Sequence, residues 1–257
     1  MIDYLKKIMT DGRAMYLAYD QGFELGPEEL PNEAINPEYV LDLAVKGKFN
    51  AVILQKGLAE KYYTGSKLQK QIPLIMKING KASIWKGGDL YSRQNCSVEY
   101  AQKLGASAVG YTIFLGSAHD GEMFQDFGRI VEEAHNFKMP AIAWVYPLGE
   151  YVDNGKSPEM VAYAGRIALE LGADMVKLKY CGSTETFSRA VKAAGRTKVV
   201  LSGGPRLGQA NEFFEMVESV MEAGAVGVAV GRNVWQHVVP LEITEKIRQI
   251  IFKQRWG

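Results

Sequence analysis

The sequence predicts an α/β fold, a single (β/α)8 TIM barrel, on three observations. Short apolar runs alternate along the whole chain with longer amphipathic ones, the pattern of βαβ units around a parallel sheet. Eight such runs occur, at 15–19, 51–54, 73–78, 107–111, 141–145, 174–179, 198–201 and 225–230. The chain has 257 residues, the size at which one such barrel is typical. A doubly wound open sheet is built from the same units, but eight strands and the glycine-rich exits of the last two favour closure.

Each run is either uniformly apolar or alternates with small residues, as strands do when helices cover one side and barrel packing the other. The segments between them carry apolar residues three and four apart. After the helix-entry signal Ser157-Pro158-Glu159 these are Val161, Ala164, Ile167, Ala168 and Leu171, and the helix stops at Gly172. Leu104-Gly105-Ala106, Leu171-Gly172-Ala173 and Ala223-Gly224-Ala225 repeat one device: a helix ends on a glycine and passes straight into a strand. The stretch 26–37 reads as a long first βα loop and 79–89 as an inserted hairpin or loop. No Pro/Gly/Ser linker divides the chain, so one domain is expected over 1–257.

Composition narrows the function. Hydrophobic residues make up 47%, charged residues 23%, and the formal net charge is +1. That is ordinary globular composition without the basic footprint of a nucleic-acid binder or a polybasic membrane-surface segment, so a small-molecule partner is expected. Cys96 and Cys181 are too few for a disulfide framework. Residues 1–7 read as a short amphipathic helix rather than an apolar leader, and no run approaches the ~18 apolar residues of a membrane span; a cytoplasmic location is expected. His119, His135 and His237 are scattered without metal-ligand spacing, so no metal is expected. No P-loop, G-x-S-x-G elbow or dinucleotide fingerprint follows a strand.

In a barrel of this kind the chemistry sits at the C-terminal strand ends. Strand six reads Asp174-Met175-Val176-Lys177-Leu178-Lys179. If Val176 and Leu178 face the helices, Lys177 and Lys179 turn inward. Desolvation and a neighbouring cation lower a lysine's proton affinity and leave an amine that can attack a carbonyl. The alternative is a solvated Lys179 and a Lys177 paired with a carboxylate. Trp144 and Tyr146 share a face at the end of strand five, where a phenol could move protons and an indole wall could hold a carbon skeleton; an ordinary aromatic core is the alternative. Asp20 closes strand one and could orient hydroxyls, pair with a lysine or act as a base, or simply cap the loop. Ser202-Gly203-Gly204-Pro205 and Gly231-Arg232-Asn233 end strands seven and eight, the place where such barrels bind phosphate.

These positions resemble the archaeal-type class I fructose-bisphosphate aldolases. Further motifs carry the likeness: Leu17-Ala18-Tyr19-Asp20-Gln21-Gly22, Gln55-Lys56-Gly57-Leu58-Ala59-Glu60-Lys61-Tyr62-Tyr63, Gly105 through Thr112, and Val230 through Gln236. The resemblance implies cleavage of fructose 1,6-bisphosphate without a cofactor, by a covalent Schiff base on Lys177. It also implies a proton-transferring Tyr146, Trp144 beside it, a substrate-facing Asp20, and a phosphate grip at Ser202, Gly203, Gly204, Gly231 and Arg232. Lys179 becomes a cation that keeps Lys177 neutral, and a homo-oligomer, such as a decamer, is implied. Barrel relatives with the same lysine make an amino-heptulosonate or process a phosphorylated autoinducer; a noncatalytic sugar-phosphate-binding barrel is the reading from a different class. This chain departs from the family at Gln21 and Leu25, where many members have His, and at Leu148, where many have Arg. Loss of that arginine is expected to weaken the preference for a second phosphate, unless Lys81, Lys86 or Arg93 of the inserted loop compensates.

Overall fold

The computed structural model describes residues 4–83 and 89–253. Eight parallel strands close into a barrel in sequence order: β1 (Ala14–Tyr19), β2 (Ala51–Gln55), β3 (Leu74–Lys77), β4 (Ala106–Leu115), β5 (Ala141–Pro147), β6 (Met175–Leu178), β7 (Lys198–Ser202) and β8 (Gly227–Val230), which returns to β1. Helices α1 (Pro37–Lys46), α2 (Val98–Lys103), α3 (Asp120–Asn136), α4 (Pro158–Glu170), α5 (Thr184–Ala193), α6 (Ala210–Glu222) and α7 (Pro240–Lys253) ring it. Between β2 and β3 stand a single turn at Lys56–Leu58, a π-helical turn at Ala59–Tyr63 and a 3-10 turn at Lys67–Lys70.

Strand alternation sorts the core into two layers. Tyr16, Ala18, Ile53, Ile75, Ile142, Trp144, Met175 and Val200 meet inside the barrel. Leu17, Val52, Leu54, Met76, Val145, Val176 and Leu178 pack outward with the helices. Leu5 and Ile8, before β1, join the inner layer and close the end opposite the strand C-termini. Local chemistry sets the helix entries. Ser157 accepts a hydrogen bond from Met160 N with Pro158 beside it at the start of α4, and Ser183 and Thr186 form a capping box at the start of α5. The three repeated helix-ending glycines, Gly105, Gly172 and Gly224, have φ of 87°, 84° and 97°, left-handed values at which a side chain would be strained.

Three expectations change. β4 runs on to Leu115 because its exit stays paired with β5 as far as Leu115 against Pro147. β6 stops at Leu178, which leaves Lys179 beyond the ladder. The first βα loop is not irregular but holds turns at Gln21–Leu25, Pro27–Glu29 and Asn32–Ile35. The insertion after β3 starts on an antiparallel pairing of Asn79–Gly80 with Arg93–Gln94; residues 84–88, Lys86 among them, lie outside the described residues.

Candidate active site

A cavity of about 710 Å³ opens at the C-terminal strand ends, and its wall includes Asp20, Trp144, Tyr146, Lys177, Lys179, Ser202, Gly203, Gly204, Gly231 and Arg232. All ten sequence-predicted site residues therefore meet in one place.

Lys177 is 6% exposed. Its register neighbours are Trp144 on β5 and Val200 on β7, and its Nζ lies 5.4 Å from the Trp144 ring centroid. Burial lowers its proton affinity, against the opposing pull of Asp20 and Glu24 and with help from Arg232. No carboxylate approaches within ion-pair distance of it among the described residues, so the desolvation goes uncompensated by direct pairing. The cation assisting Lys177 is thus Arg232, and the expectation that Lys179 serves this purpose is corrected: Lys179, past the strand end, holds its Nζ 5.3 Å from the Tyr146 ring centroid instead.

Tyr146 is drawn the other way. Burial pushes its phenol well above the ordinary range; the 3.5 Å contact with Ser202 Oγ is the next largest influence and pulls it back, while the charges of Asp20 and Glu24 raise it and that of Lys77 lowers it. It is a proton-bearing phenol at neutral pH. Asp20 is 6% exposed and precedes the short helix at Gln21–Leu25, yet its side chain caps no backbone N–H; the loop-capping alternative is set aside, and the carboxylate faces the cavity.

The phosphate loops are more particular than the glycine pattern suggested. Gly203 N–H donates to Ala229 O at 3.0 Å, so that N–H is engaged and not free for an anion. A Cβ at this position would lie 3.0 Å from Val230 Cα, which gives the glycine a packing reason. Gly204 has φ +68° and open space around it. Arg232 reaches Glu29 at 3.0 Å through one nitrogen, while its Nε is buried without a partner. Trp144 Nε1 and Thr112 Oγ1, in the same wall, are also buried and unpartnered. An unsatisfied buried donor costs about 1–3 kcal/mol, a cost relieved when a polar ligand arrives.

Residues 14–237, most of the barrel, match the DeoC/LacD family aldolase. The chain belongs to that family. It is 47% identical to the class 1 fructose-bisphosphate aldolase of Thermoproteus tenax, with 97% of this chain and 93% of that one aligned. The class 1 fructose-bisphosphate aldolase of Halobacterium salinarum is 41% identical over 96% of this chain and 93% of its own. A solved archaeal fructose-1,6-bisphosphate aldolase, with its catalytic lysine covalently bound to the carbinolamine intermediate of the substrate, superposes with a TM-score of 0.91 at 46% identity. It covers 96% of this chain and 97% of that one.

As a member of the DeoC/LacD family, this chain also shows site residues that sequence reasoning passed over. Lys77 on β3 is fully buried and donates to Glu24 Oε1 at 2.9 Å and Asn79 O at 2.8 Å. The alternation that turned Lys177 inward applies equally to Lys77, two residues after the inward Ile75; that signal was available. Glu24, Thr112 and Lys156 line the cavity; Lys77 does not, and meets the site only through Glu24. Lys156 sits on the β5–α4 loop, whose path no periodicity announces. Of the residues considered for the second phosphate, Lys81 Nζ donates to Ala82 O and Arg93 stacks on Tyr91, and neither is among the described residues that line the cavity. Leu148 is half-exposed and also absent from that wall.

Proposed function

We propose that this chain is a class I fructose-bisphosphate aldolase, a lyase that cleaves fructose 1,6-bisphosphate reversibly to dihydroxyacetone phosphate and glyceraldehyde 3-phosphate through a Schiff base on Lys177. One observation carries the reading: a buried lysine of lowered proton affinity facing an aromatic wall, a protonated phenol and a free carboxylate. The 47% identity to an aldolase of that name supports it.

In this mechanism the Lys177 amine adds to the ketone carbon. The resulting hydroxyl leaves as water with a proton from Tyr146, giving an iminium. The iminium takes up the electron pair of the breaking C3–C4 bond, the C4 hydroxyl proton passes to the Tyr146 phenoxide, and the enamine is reprotonated before hydrolysis. Asp20 orients the substrate hydroxyls, and Ser202, Gly204, Gly231 and Arg232 hold the near phosphate, so that remote binding fixes the carbonyl beside the amine. In this route the iminium, rather than a metal ion, serves as the electron sink. The whole chain, 1–257, acts as one catalytic domain in a cytoplasmic homo-oligomer. Among the described residues no helix is long and apolar enough to cross a membrane.

Incubation with dihydroxyacetone phosphate and borohydride is expected to add the reduced substrate mass to the peptide carrying Lys177. Label on the Lys179 side of that peptide would reassign the nucleophile, and no label would leave a noncatalytic sugar-phosphate barrel as the better description. Activity is expected to survive EDTA unchanged; loss that zinc restores would move the chain to a metal-dependent mechanism.

A further inference from the structure

An amine that attacks as a free base and then becomes an iminium makes opposite demands on its surroundings. Before attack it must lose a proton, which a paired carboxylate opposes; afterwards it carries a positive charge, which a nearby carboxylate favours. A carboxylate held close enough to be felt, yet kept from direct pairing with the amine, serves both stages.

The exit of β1 supplies two carboxylates to the cavity wall, Asp20 and Glu24. Asp20 faces the substrate. Glu24 is engaged elsewhere: its Oε1 lies 2.9 Å from Lys77 Nζ, with the Lys77 side chain 1% exposed and that of Glu24 26%. Lys77 is fixed by the barrel itself, in register with Gln55 on β2 and Gly110 on β4, and its Nζ also donates to Asn79 O at 2.8 Å. The cation is therefore the anchor, and the carboxylate on the short helix at Gln21–Leu25 is what it tethers.

Among the described residues no ion pair joins Glu24 to Lys177. The charge of Glu24 nonetheless raises the proton affinity of Lys177, as that of Asp20 does from the end of β1, while Arg232 at the exit of β8 lowers it. Tyr146 on β5, Lys179, Tyr180 and Cys181 past β6, and Lys156 on the β5–α4 loop are the other titratable groups of the wall.

We propose that Lys77 is a positioning residue: it holds Glu24 back from Lys177, where the carboxylate would otherwise settle as the amine's partner, and so reserves the Glu24 charge for the iminium. The inference rests on the Schiff-base reading for the role of Lys177.

The readout is the pH dependence of labelling at Lys177, taken as the initial rate of fixation of dihydroxyacetone phosphate by cyanoborohydride, a reagent that reduces iminium ions in mild acid. The rate rises with pH as the amine loses its proton. In Lys77→Met the freed carboxylate is expected to move that rise up by about one pH unit or more, which lowers the rate at neutral pH roughly 10-fold. Lys77→Arg should keep the wild-type profile, and Lys77→Met/Glu24→Gln should lose the upward shift. Glu24→Gln, which leaves the anchor in place, should move the rise to lower pH and still lower kcat, because the iminium has lost its counter-charge; it decides the matter if Lys77→Met does not fold. A loss of rate equal at every pH in Lys77→Met, an upward shift kept by the double variant, or an unmoved rise in Glu24→Gln overturns the proposal. Wild type that takes no label at Lys177 sinks the Schiff-base reading instead, whereas label without these shifts sinks this inference alone.

Discussion

Lys177→Met is expected to abolish borohydride trapping and lower kcat by about four orders of magnitude or more, while raising Tm. The loss of activity follows from removing the amine proposed to form the iminium. The gain in stability follows from where the amine sits. An unfolded chain holds this proton up to a pKa of about 10.5, whereas the folded chain, with Lys177 buried, releases it at lower pH. Between those two values the unfolded state binds more protons, so stability rises with pH through that window; below it, the folded state bears the full cost of a buried ammonium. Methionine fills similar volume without that cost. A gain of about 1–3 kcal/mol, or roughly 3–10 °C in Tm, is expected at neutral pH, and it should shrink as pH rises. A variant that melts below wild type would show that Asp20 and Glu24 depend on the lysine's charge more than the lysine suffers from burial.

Gly110→Ala is the second large effect. Gly110 points into the barrel from β4, and a Cβ there would lie 1.6 Å from Trp144 Cζ3 and 1.7 Å from Cη2. The backbone cannot yield, because Gly110 is paired with Lys77 on one side and Ile142 on the other. The indole must therefore leave its place beside Lys177. Overpacking of this kind costs about 1–3 kcal/mol or more, and a displaced wall next to the reacting amine is expected to lower kcat/KM by about 100-fold. Trp144→Leu in the same chain should restore Tm but not activity, which separates strain from the loss of the ring. An unchanged Tm and tryptophan fluorescence in Gly110→Ala would contradict this packing.

The closed barrel and the inward turn of Lys177 were legible because both rest on periodicity: a two-residue repeat decides which face a strand side chain takes, and only one face of β6 is apolar enough to meet the helices. Asp20, Tyr146 and Ser202 were legible for the same reason, as residues at or just past the C-terminal ends of strands. Lys77 was equally legible and passed over, since a strand ending in lysine reads as an ordinary polar exit unless its partner Glu24 is known. What stayed hidden depends on register and loop path. Nothing in the sequence joins Gly110 to Trp144, 34 positions apart, until β4 and β5 are aligned. The engagement of Gly203 N–H was likewise invisible, because a glycine pattern does not reveal which amides are already bonded.

Asn79 clasps the base of the segment that follows β3. Its amide nitrogen donates to both Ser92 O and Thr112 O, and its Oδ1 accepts from Thr112 N at 2.8 Å. Departure and return of the chain are thus stitched to β4 by one side chain, immediately above the Lys77–Glu24 pair. The segment is also tied to the site between those fastenings, because Ser83 N–H donates to the backbone oxygen of Glu24 at 2.7 Å, so a change within it can reach the cavity wall. In evolutionary terms the insertion is not free ground: a lineage that alters it alters the hold on Glu24, and through Glu24 the surroundings of Lys177.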